Sequence, residues 1–69
     1  MKRDPIESSC LIGAGYDPKR RTLEVMFPSG LIYRYHGVPR QKYDRLLRAD
    51  SPGAYFNAEI KDHYPVTRG

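Results

Sequence analysis

From Thr22 to Phe27 the chain alternates without interruption, with Leu23, Val25 and Phe27 on one side and Thr22, Glu24 and Met26 on the other. A period of two is that of a β-strand with one buried face. The same period returns in Leu31 to His36, which sets Leu31, Tyr33 and Tyr35 against Ile32, Arg34 and His36. Pro28-Ser29-Gly30 between them reads as a hairpin loop, with Gly30 supplying the positive φ such a turn needs. Upstream, Ser9 to Tyr16 is a less regular strand. Leu11 and Ile12 fall on opposite faces, and Gly13 and Gly15 mark a bulge or a close backbone approach. Asp17-Pro18-Lys19-Arg20-Arg21 joins it to the next strand as a basic hairpin tip. There Pro18 fixes φ and Asp17 bonds back to the following backbone.

Gly37-Val38-Pro39 breaks the alternation and the period changes to that of a helix. Over Arg40 to Ala49, Tyr43, Leu46 and Leu47 lie on one side while Gln41, Arg45 and Arg48 lie opposite. A second helix starts with Ser51 as N-cap and Pro52 at its first position, and runs to about Asp62. Phe56, Ile60 and either His63 or Tyr64 form its core stripe, and Pro65 stops it. The expected fold is α+β in β-β-β-α-α order, a three-stranded antiparallel meander with two helices packed on one sheet face. It fills one domain, 1–69, with an ordered core of about 8–64 and loose termini. Parity with Leu23, Val25 and Phe27 makes Tyr33 and Tyr35 packing residues, not an exposed aromatic platform.

Composition fits that small domain: 69 residues, 39% hydrophobic, with six tyrosines to fill a compact core. A single cysteine, Cys10, excludes an internal disulfide framework and reads as a small, partly buried hydrophobe. With only His36 and His63 beside it, it lacks the paired spacing of a structural zinc site, so no metal or cofactor is expected. No apolar run suits a spanning helix or an export signal, which predicts a cytoplasmic protein with no membrane partner. The net charge is +4. Its excess lies in the second half, where residues 34–69 carry seven cations against four anions, while 1–33 carry five against four.

Several short motifs occur in fixed order: Ser8-Ser9, Gly15-Tyr16-Asp17, Gly30, Tyr33-Arg34-Tyr35, Gly37-Val38-Pro39, Tyr43, and Gly53 with Tyr55-Phe56-Asn57. In that order they resemble the KTSC domain, whose mark is the Tyr-x-Tyr. One departure is Ala14, where the family usually carries an aliphatic residue. The family is named for a domain at the C-terminus of some lysyl-tRNA synthetases and also occurs alone in short bacterial and phage proteins. The resemblance implies a suggested RNA-binding role without an established activity.

The residues give that suggestion physical content. Lys19, Arg20 and Arg21 at the hairpin tip and Arg40, Lys42, Arg45 and Arg48 on the first helix can each neutralise a phosphate. On the sheet face opposite the helices, Arg34 and His36 can stack on or hydrogen-bond unpaired bases. The expected partner is transfer RNA or single-stranded RNA, and these nine residues are the candidate contacts. The plainer reading of the same residues is solvated surface. A second functional class is a protein-interaction or adaptor module, or a homodimer, acting through the sheet face or an edge strand. Catalysis is not expected: His36, His63, Asp17, Glu59 and Cys10 supply suitable groups, but no Cys/His or Ser/His/Asp spacing rises above chance.

Overall fold

The computed structural model describes residues 3–5, as backbone, and 11–68. Ser8, Ser9 and Cys10, named above, lie outside the described residues. The elements in chain order are β1 (Arg3–Pro5), β2 (Gly13–Asp17), β3 (Thr22–Met26), β4 (Ile32–His36), α1 (Arg40–Arg48), α2 (Pro52–Glu59) and β5 (Val66–Arg68). The α+β arrangement stands, and the central meander β2-β3-β4 is the one the alternation predicts. The sheet is wider than three strands, however: it runs β1-β2-β3-β4-β5, antiparallel throughout. The segment after Pro65, expected to be loose, pairs along β4, and the amide of His36 donates to the carbonyl of Pro65 at 2.9 Å. Unpaired strand edges favour such additions.

Local chemistry fixes the connections. At the first tip, Asp17 Oδ1 accepts from the amides of Lys19 (3.0 Å) and Arg20 (3.3 Å), and Arg21 takes a left-handed φ of 52° to re-enter the sheet. The second hairpin closes through Phe27 and Leu31, with Gly30 at φ 89°. Ser51 caps α2 by accepting from the Ala54 amide at 3.4 Å, and Pro52 follows it. Regular helix ends at Glu59, short of the expected Asp62. The amide of Lys61 reaches back five residues to Phe56, and Asp62 turns left-handed at φ 67°.

The core lies between one sheet face and the helices. Leu11, Leu23, Val25, Val38, Leu46 and Ile60 are fully buried there, and Tyr35, Tyr43 and Phe56 nearly so. Each such side chain stabilises the fold by about 1.5–3 kcal/mol. Ala14 is fully buried among them, so the small residue at that position still packs. Phe27, Tyr33, Tyr35 and Phe56 form a chain of edge-to-face contacts 5.3–5.8 Å apart, which confirms the two tyrosines as packing residues. Tyr16 stacks on Tyr43 at 5.5 Å and donates to the Val38 carbonyl at 2.6 Å, tying β2 to the start of α1. Leu31, expected on the core face, is exposed at the hairpin end.

Candidate nucleic-acid interface

The helices occupy one face of the sheet, and the other carries the residues of opposite parity. Register aligns Gly15, Glu24, Arg34 and Thr67 across β2 to β5, with Asp17, Thr22 and His36 as the next such row. These rows line an open, polar concavity of about 570 Å³, which Arg20 joins from the hairpin tip. Glu24 is its anchor. Its side chain is 2% exposed although it points away from the helices, and its Oε2 accepts from Arg34 Nε at 3.2 Å. A buried carboxylate is costly unless paired, and Glu24 has a further interaction besides this one. Arg34 itself is 48% exposed. His36 Nε2 lies 2.8 Å from Thr67 Oγ1, which holds the ring against β5. Thr22 Oγ1 donates to the Arg20 carbonyl, and Arg20 Nε stands 4.0 Å from Asp17 Oδ2.

Of the nine residues named from the sequence, the structure brings Arg20, Arg34 and His36 together. Lys19 and Arg21 are exposed at the same tip but do not line the concavity. Arg40, Lys42, Arg45 and Arg48 belong to the helix layer, with the sheet between them and Arg34. Lys42 bridges α1 to α2 through Glu59 at 3.6 Å. Arg45 and Arg48 sit in the last turn of α1, where positive charge complements the helix dipole. Asn57 is exposed. Glu24, Thr22 and Thr67 line the concavity without having stood out as candidates, and Asp17 stood out only as a turn residue and a possible acid. Glu24 and Arg34 were recoverable as partners, because each lies five residues from position 29, the middle of the hairpin loop.

A second groove of about 420 Å³ lies on the helix side between β4, β5 and the turn after α2, where Tyr33, Tyr35, Asp62 and Tyr64 converge. Burial raises the Tyr35 phenol above its ordinary value, helped by nearby Tyr33 and Asp62. Among the described residues no group of His, Cys, Asp and Glu could hold a metal ion, and no helix is long and apolar enough to cross a membrane.

Comparison with known proteins gives this geometry a family. The sequence profile of the KTSC domain matches residues 7–64. An uncharacterised protein of Stutzerimonas stutzeri is 49% identical over 69 residues, covering 99% of this chain and 97% of that protein. A lysine–tRNA ligase of Nostoc sp. is 38% identical over 58 residues, which cover 84% of this chain but 10% of the ligase. The crystal structure of a KTSC domain protein from Yersinia pestis superposes with a TM-score of 0.95 at 34% identity, covering 99% of this chain and 96% of the other. With a profile match over most of its length and relatives alike end to end, the chain belongs to the KTSC domain family.

Proposed function

We propose that this chain is a non-catalytic accessory module that holds single-stranded RNA, or the unpaired parts of a transfer RNA, against the sheet face away from the helices. The observation that carries this reading is the convergence of Arg20, Arg34 and His36 on one open concavity. The net charge of +4 favours a polyanion, and lysine–tRNA ligases that carry a similar segment supply a context for RNA. Arg45 and Arg48 add attraction at longer range without defining the site.

Fluorescence anisotropy with labelled single-stranded RNA and transfer RNA tests the reading. Neutralising phosphate with these side chains predicts affinity that falls as salt rises, with a log–log slope of about −0.7 per phosphate for a single strand. Arg34→Glu should remove binding, while Arg45→Glu with Arg48→Glu should weaken it less. No binding at low salt would refute it. A second reading, a protein-interaction module, draws on the edge strand β5, all of whose residues are exposed. Sedimentation showing a dimer whose population rises with concentration would favour that alternative.

A further inference from the structure

Carboxylates and cations line the same concavity, and what each already touches decides what the site offers a ligand. Asp17 turns its oxygens to the amides of Lys19 and Arg20 and to the Arg20 side chain. Glu24 is buried and grips Arg34 through Nε. The Glu24 acceptors are therefore buried, and those of Asp17, 30% exposed, are turned to its own hairpin tip. The donors differ: Arg34 is half exposed, and among the described residues its Nη groups meet no acceptor.

A guanidinium is a rigid planar fork, so a bond at Nε fixes the plane and aims the Nη edge away from the carboxylate. His36 lies two residues further along β4 on the same face, its ring held by Thr67. Arg20 closes the third side. Outward donors around a fixed guanidinium suit a tetrahedral oxyanion. The concavity is wide enough to leave room for what that anion is attached to.

We propose that this face holds a phosphate-binding site in which Glu24 is a positioning residue that orients Arg34, so that the Arg34 Nη edge, His36 and Arg20 bind one phosphate group. The inference rests on the RNA reading of the same face and names the chemical group bound and the residue that prepares the site. Glu24 touches Arg34, not the phosphate.

The test is NMR of the arginine Nε–Hε and histidine ring signals in wild type, Glu24→Gln and Arg34→Lys, titrated with inorganic phosphate and then with short oligouridylates bearing or lacking a 5′-phosphate. In wild type the Arg34 and His36 signals should shift and saturate with each ligand. Arg34→Lys keeps the charge but loses the fork, and should weaken oligonucleotide binding about tenfold. Glu24→Gln should move the free-state Arg34 Nε–Hε signal, as loss of its charged partner requires, and weaken binding severalfold, and that weakening is what a purely structural role would not produce in a variant that stays folded. Phosphate shifting Arg34 while both oligonucleotides fail would support the site and sink the RNA reading. Oligonucleotide binding that is unchanged in Arg34→Lys, with shifts elsewhere, would overturn the site and leave the RNA reading standing on another surface. If Glu24→Gln does not fold, Arg34→Lys still decides the matter.

Discussion

The Glu24–Arg34 pair makes a quantitative prediction that a double-mutant cycle reads directly. Arg34→Met keeps much of the aliphatic stem and removes the guanidinium, leaving a carboxylate that is 2% exposed short of its charged partner. Breaking a fully buried pair costs about 3–5 kcal/mol. Here Arg34 is half in water and Glu24 keeps another interaction, so the loss should be about 2 kcal/mol. Glu24→Gln removes the charge but leaves an acceptor for Nε, which predicts a loss of about 1 kcal/mol. The double variant should be more stable than Arg34→Met alone, because a neutral amide no longer needs the guanidinium. The double variant should then lie about 1 kcal/mol below wild type, which makes the coupling energy about 2 kcal/mol. Urea unfolding followed by circular dichroism gives these differences, and for a domain this small Arg34→Met should lower Tm by about 10 °C. A coupling near zero, with Arg34→Met neutral, would make the pair equivalent to an idle surface ion pair and refute the claim that Glu24 holds Arg34 in place.

Two further predictions concern tyrosines. The folded state favours the neutral Tyr35 phenol, so its contribution to stability should be whole below about pH 10 and be lost as pH rises through the raised value. Thermal unfolding from pH 8 to 11 should therefore fall less steeply for Tyr35→Phe than for wild type, and parallel curves would contradict this. The Tyr55 hydroxyl is buried and, among the described residues, has no hydrogen-bond partner, so Tyr55→Phe should leave stability unchanged or raise it by up to about 1 kcal/mol. A loss of more than about 1 kcal/mol by urea unfolding would show that the hydroxyl has a partner.

The central hairpin was legible because alternation over Thr22 to Phe27 and Leu31 to His36 leaves one register that buries Leu23, Val25 and Tyr35 together. β5 was not legible. Val66-Thr67-Arg68 is too short to show a period, and it is a strand because β4 offers a free edge beside it. Parity also put Glu24 on the same face as Arg34, but a lone glutamate in an alternating strand reads as an ordinary solvated residue. Only the three-dimensional packing reveals its burial, and with it the difference between Arg34 and the other exposed arginines. Arg45 and Arg48 carry the same charge and are as conspicuous in the sequence, yet they lie in the helix layer, with the sheet between them and the concavity. Local pattern placed each residue on a face; which basic groups converge depends on contacts between strands distant in sequence.

The most direct test is a backbone NMR titration of the intact chain with single-stranded RNA at low salt. Saturable shifts should concentrate on Arg20, Thr22, Arg34, His36 and Thr67, with little change along α1. Shifts confined to Arg45, Arg48 and their neighbours, or none at all, would contradict the RNA reading of this sheet face.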